Sequence, residues 1–212
     1  MKFKPYFSLK NLLLSASLAL SCVSAVLPYA IAATIPSQLP SAQQIADHFT
    51  QIRTMTGDFV QFSPKGDMTE GTFYLERPGK IRFSYKNSPV RVIADGKSVA
   101  INNKNLDTWN LYQLSQTPMK MLLDDHIDLS DGKLLAVQRD PGATTIILRD
   151  KTIGRGEIRM IFDSKTFELR QWTIVDQQNL ETTVQVMNVK TGVRFAKGMF
   201  DIPYQRIAMK RR

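Results

Sequence analysis

The chain has 212 residues, 43% of them hydrophobic and 22% charged, with a formal net charge of +9, two histidines and a single cysteine. That length supports one ordinary domain with a sizeable core. One cysteine cannot build a disulfide framework, and two histidines with one cysteine give no zinc-type spacing.

The first residues read as a targeting segment. Lys2, Lys4 and Lys10 form a basic start, Leu12 to Leu20 is a short apolar run, and Pro28 interrupts the apolar residues after it. Ala30-Ile31-Ala32 fits a small-residue cleavage site, so residues 1–32 are expected to be a cleaved signal peptide and 33–212 the mature domain. An earlier site after Ala25 also fits. Cys22 lies inside this segment and lacks a good lipidation box before it. The mature chain is then free of cysteine, and export without disulfides suits a bacterial periplasm. Cleavage removes three lysines and no acid from the +9 total. The positive charge that remains either favours anionic lipid headgroups or only keeps the protein soluble. An exported protein rarely meets nucleic acid, which is therefore not expected as a partner.

Ile35 to Pro40 is a polar lead-in. Ser41 with Gln44 makes a capping box, and Ile45, Phe49 and Ile52 recur at helical spacing. From Gly57 the period becomes two, and a strand runs to Phe62. Asp67 to Tyr85 predicts two strands around Arg77-Pro78-Gly79. In the second, Ile81, Phe83 and Tyr85 point one way and Lys80, Arg82, Ser84 and Lys86 the other. Val90–Ile93 and Ser98–Ile101 flank the hairpin turn Ala94-Asp95-Gly96-Lys97, and Asp107–Gln113 reads as another strand. Thr117-Pro118 opens a short helix with Met119, Leu122 and Leu123 on its apolar side. Leu134–Gln138 and Thr144–Leu148 flank Arg139-Asp140-Pro141-Gly142, and Gly156–Phe162 and Phe167–Val175 flank Asp163-Ser164-Lys165-Thr166. Thr182–Val189 stops at Thr191-Gly192, and Phe200-Asp201-Ile202-Pro203 leads into the basic tail Lys210-Arg211-Arg212. About ten strands joined by short hairpins, with two or three helices, make a mainly β protein: a large antiparallel sheet with helices packed on one side.

Enzyme motifs are missing. There is no nucleophile elbow, phosphate-binding glycine loop or metal-ligand spacing. Asp124-Asp125-His126-Ile127-Asp128 reads as a solvated loop after a helix, with metal binding or acid–base work as the alternative. Asp163-Ser164-Lys165 reads as a turn. Nine methionines and two tryptophans, Trp109 and Trp172, suit either an adaptable apolar surface or plain core filling. No cofactor is expected. On spacing alone, Arg77 is an exposed arginine beside a turn.

Six pieces in order resemble the LolA family of outer-membrane lipoprotein carriers. They are the amphipathic first helix, Gly57-Asp58-Phe59-Val60-Gln61, Gly71 to Phe83 with Arg77-Pro78, Asp95-Gly96-Lys97, Thr117-Pro118 and Phe200-Asp201-Ile202-Pro203. The resemblance implies an unclosed, strongly curved antiparallel half-barrel of ten or eleven strands, lidded by helices. It implies a monomeric periplasmic chaperone, not an enzyme. Its partners would be acylated lipoproteins, an inner-membrane ABC transporter that releases them, and an outer-membrane acceptor or the outer membrane itself. By resemblance, Arg77 is the latch between sheet and lid that governs cargo release. Ile81, Phe83, Tyr85, Phe59, Phe73, Trp109, Met119 and Leu122 are the expected lipid-lining residues. At Ile81 the family's best-known members carry an aromatic ring, so a ring-specific role is not expected there. The alternatives are a lipid or lipoprotein sensor of the same fold that acts on a signalling partner, and an enzyme on lipid or glycan. The second is opposed by the absence of any convergent polar cluster. The basic face Lys80, Arg82 and Lys86, and the tail, are expected either to be solvated or to meet acidic partners or anionic lipid.

Overall fold

The computed structural model describes residues 40–129, 132–149, 151 and 156–210. The expected signal peptide with Cys22, most of the lead-in and Arg211-Arg212 lie outside the described residues. Those described belong to one unit, 39–212.

Helix α1 spans Ala42–Gln51 and begins as its capping box dictates. The Gln44 amide donates to the Ser41 hydroxyl at 3.1 Å, and the Ser41 amide donates to the Gln44 side chain at 2.8 Å. Ile45, Ala46, Phe49 and Thr50 form its buried face. Among the described residues eleven strands come after it: β1 Thr54–Phe62, β2 Met68–Glu76, β3 Lys80–Tyr85, β4 Val90–Asp95, β5 Ser98–Asn103, β6 Thr108–Gln113, β7 Leu134–Asp140, β8 Ala143–Arg149, β9 Glu157–Asp163, β10 Leu169–Val175 and β11 Glu181–Thr191. Between β6 and β7 lie a 3-10 turn, Leu114–Gln116, and helix α2, Met119–Leu123; helix α3, Tyr204–Lys210, comes last.

All strands join one antiparallel sheet in the order β6-β5-β4-β3-β2-β1-β11-β10-β9-β8-β7. Every neighbour is also consecutive in the chain except β1 and β11. The tight turns enforce this. At Asp95-Gly96, the amides of Lys97 and Ser98 both donate to the Asp95 carboxylate at 2.9 Å. At 163–166, the amides of Lys165 and Thr166 donate to the Asp163 carboxylate, so this stretch is a turn as expected.

The sheet does not close, because β6 and β7 are its two edges. It is strongly curved. Strands β3 and β10 stand four places apart, which in a flat sheet means about 19 Å. Yet the rings of Phe83 on β3 and Trp172 on β10 lie 6.2 Å apart, centre to centre. The main core fills this concavity and includes residues from α1, α2 and nine strands.

A second core lies on the outer face. Ile93, Ala100 and Trp109 of the sheet pack against Phe200, Ile202 and Ile207. The C-terminal segment thus straps β2 to β6 from outside. The sequence reading has only a basic tail after Pro203, whereas the structure forms α3 there. Pro203 suits a helix start, its carbonyl accepts from the Ile207 amide at 3.1 Å, and Ile207 is buried.

Candidate functional site

Alternation decides what faces the concavity. Phe73 of β2 is directly opposite Phe83 of β3, and Leu75 is opposite Ile81. Phe59 of β1 is opposite Gly71, and the missing side chain leaves room for rings. Phe59 meets Phe83 and Tyr85 edge-on at 5.1 and 5.2 Å. Tyr85 donates its hydroxyl to the Gln61 side chain at 2.7 Å. Burial pushes the Tyr85 phenol up to about 12, against a smaller opposing effect of that hydrogen bond.

Two short helices cover this face. Phe49 of α1 packs on Phe162 of β9 at 5.4 Å. Leu122 and Leu123 of α2 are fully buried in the same core, and Met119 packs against it partly exposed. The concavity is therefore filled by the protein's own side chains: Phe73 and Ile81 are 0% exposed, Phe59 1% and Phe83 3%.

Arg77 joins these parts. It ends the β2–β3 hairpin and is only 4% exposed. One terminal nitrogen donates to the carbonyl of Leu122 at 2.6 Å and to that of Asp124 at 2.7 Å, both at the open C-terminal end of α2. Its guanidinium stacks on the Phe49 ring of α1 at 4.3 Å. Beside it, the Gly79 amide donates to the Leu123 carbonyl at 2.8 Å. A cation placed at carbonyls without helical partners is favourable. Burial, and then the charge of Arg53, lower the Arg77 guanidinium to about 10, while Asp124 and Asp125 oppose the shift. It stays protonated at neutral pH. Its other two guanidinium nitrogens, Nε and Nη2, have no hydrogen-bond partner among the described residues.

Of the expected lining residues, the structure brings Phe59, Phe73, Ile81, Phe83, Tyr85, Met119 and Leu122 to this one core. It does not bring Trp109 there. Trp109 is opposite Asn102, so it shares the outer face with Ala100 and Ile93 and sits under the strap. The positions of β6 with inward parity are Asn110 and Tyr112. Phe49 lines the concavity from the apolar stripe read for α1, whereas Met55, Leu75, Met160 and Val184, which also line it, were not singled out from the sequence. Their alternation with polar neighbours is the signal that could have found them.

The outward basic face is not simply solvated. Lys80 pairs with Glu76 at 2.6 Å and Lys86 with Glu70 at 3.3 Å. Arg82 donates to the carbonyl of Met199 in the strap at 3.1 Å. His126 is exposed in the loop after α2, and no group of three potential metal ligands occurs among the described residues. No helix among the described residues is long and apolar enough to cross a membrane.

A family model, outer membrane lipoprotein carrier protein LolA, matches residues 50–203. No curated protein matches the chain. Solved structures with a similar course include an uncharacterized conserved protein from Thermus thermophilus, 12% identical, TM-score 0.47, covering 77% of this chain and 95% of that one. A LolA superfamily protein from Nitrosomonas europaea is 8% identical, TM-score 0.42, with 78% and 99% covered. The Pseudomonas aeruginosa MucA/MucB complex gives 14% identity and TM-score 0.41, with 76% of this chain and 60% of that chain covered.

Proposed function

The chain belongs to the LolA family of outer membrane lipoprotein carrier proteins, and from that premise we propose that it is a periplasmic chaperone for lipoproteins. Matured by removal of residues 1–32, it takes the acyl chains of a lipoprotein released by an inner-membrane ABC transporter and carries them as a monomer to the outer membrane. No bond is made or broken and no cofactor takes part.

The physical problem is one of balance. Acyl chains gain roughly 0.8 kcal/mol per CH₂ on leaving water, so a triacylated protein cannot cross an aqueous space alone. An empty, rigid cavity would take up the chains and keep them. Here Phe59, Phe73, Ile81, Phe83 and Leu122 already occupy the space, so cargo must displace them. Loading then costs part of what acyl burial gains, and the loaded state stays within reach of release.

The observation that carries this reading is Arg77. Its bonds to the Leu122 and Asp124 carbonyls stabilise the closed arrangement of sheet and α2. Lifting α2 to admit acyl chains breaks them. The latch therefore raises the loaded state relative to the empty one and drives unloading. Spheroplasts bearing a labelled triacylated lipoprotein, incubated with the purified protein, should release label as a one-to-one soluble complex. Arg77→Leu should still load but fail to deliver. If no label leaves membranes that hold the cognate transporter, or if Arg77→Leu delivers as well as wild type, the reading fails.

A further inference from the structure

A second cluster lies on the outer face, where neither lid nor concavity reaches. Arg82 of β3 and Arg91 of β4 share this face as diagonal neighbours, since Arg82 is opposite Ile93 and Arg91 opposite Ser84. Like charges in this position ordinarily swing apart into water. Arg91 is instead held. Its Nε donates to the Asn102 side-chain oxygen at 2.9 Å, and its guanidinium stacks over Trp109 at 5.2 Å. Asn102 is 2% exposed and fixed in turn, its amide donating to the Thr108 carbonyl at 2.9 Å. Arg82 is held by the Met199 carbonyl of the strap. Arg206 arrives from α3, donating to both carboxylate oxygens of Asp107 at 2.9 and 3.0 Å.

The cluster is rich in donors and poor in acceptors. Arg82 Nε and Trp109 Nε1 are buried without a partner among the described residues. Apart from burial, the influences that lower Arg91's pKa are the charges of Arg82 and Arg206. Arg82 and Arg91 are held by their hydrogen bonds to Met199 and Asn102, and Arg206, itself exposed and paired with Asp107, lies near enough for its charge to act on Arg91. Unpaired donors at a partly buried surface are costly unless an acceptor comes. A tetrahedral oxyanion offers several acceptor oxygens at once and matches guanidinium forks.

We propose that Arg82, Arg91 and Arg206, beside Trp109 and under the C-terminal strap, form a binding site for a phosphate-class anion, either free phosphate or the phosphate of a lipid headgroup. The site stands independently of the carrier reading. Asn102 positions Arg91, Trp109 backs its guanidinium as a flat wall, and Ser84 lies directly cross-strand from Arg91. The strap completes the site, because Arg206 and Met199 both belong to it.

The two tryptophans make the test direct, since Trp109 lies outside the sheet and Trp172 inside. The purified protein is titrated with inorganic phosphate while both indole N–H resonances are followed. Trp109 should shift and saturate, with Trp172 unmoved. Arg91→Gln should weaken binding by about tenfold or more, as expected for a lost charge-assisted partner, and Lys80→Gln should not. Arg206→Gln, changed on the strap rather than the sheet, should also weaken it and so separates a lost ligand contact from a disturbed sheet. Retention on phosphatidylglycerol but not phosphatidylcholine vesicles, reduced in Arg91→Gln, assigns a headgroup. Phosphate binding without vesicle retention assigns the free anion. Absence of a Trp109 shift at tens of millimolar phosphate, with vesicle retention unchanged by Arg91→Gln, overturns the site; so does a shift that Arg91→Gln and Arg206→Gln leave intact.

Discussion

At the scale of single residues, Arg77 and Phe49 form one device. The guanidinium bonds α2 with its edge and covers the α1 ring with its face. Losing Phe49 removes a fully buried ring as well as this stacking. Phe49→Ala should therefore lower stability by about 3–5 kcal/mol, read as a shift in the urea midpoint. Phe49→Leu should cost less but still loosen α1. Because Arg77 is depressed only to about 10, its charge is constant across the physiological range. The sign is that of a base whose folded pKa lies below its unfolded one. The unfolded chain binds the extra proton between the two values, so stability from this group rises with pH only above about 10. Arg77-dependent release should accordingly be flat between about pH 6 and 9, measured as transfer rate against pH; a step there would mean that another group controls the latch. The burial of Arg77 was not legible from local sequence. Arg-Pro-Gly reads as an exposed turn, and the carbonyls that bury it lie 45 and 47 residues away. Only the family resemblance pointed to it.

At the scale of elements, turn chemistry explains why so much of the sheet was readable. Asp95-Gly96 and the 163–166 turn carry their own hydrogen bonds, so hairpins, and hence antiparallel order, follow from short-range signals. Strand faces were readable where one face is plainly apolar, as in Ile81, Phe83 and Tyr85. They failed at β6. There Trp109 and Leu111 alternate with Asn110 and Tyr112, and the greasier side packs under the strap rather than into the concavity. A strand of six residues does not reveal which of two cores it serves. Helix α3 escaped notice for the same reason, since its anchor, Ile207, is given meaning only by the outer face of the sheet. Ser41→Ala removes the α1 cap and should cost about 1 kcal/mol, visible in the thermal midpoint. Gly71→Ala would place a methyl group against the backbone oxygen of Ser84 and the Phe59 ring. It should destabilise the β2–β3 pair by about 1–3 kcal/mol or more. A neutral result in urea titration would show that the sheet yields at that point.

For the whole molecule, the connection from β6 to β7 is the distinctive step. Consecutive strands lie at opposite edges of the sheet, and the segment between them carries the 3-10 turn and α2. The lid is thus the crossover that an unclosed sheet requires. It is held against the concavity by side-chain burial and by Arg77, while the strap holds the outside through a separate core. Acyl chains and the proposed anion would occupy opposite faces of one sheet. Cargo that enters the concave side should displace the side chains that fill it. A triacylated lipoprotein carrying brominated acyl chains tests this directly, because bromine quenches a tryptophan only at close range. In a Trp109→Phe protein, loading should quench Trp172; in a Trp172→Phe protein, Trp109 should stay bright. Equal quenching of the two, or quenching of Trp109 alone, would contradict the account and place the lipid elsewhere.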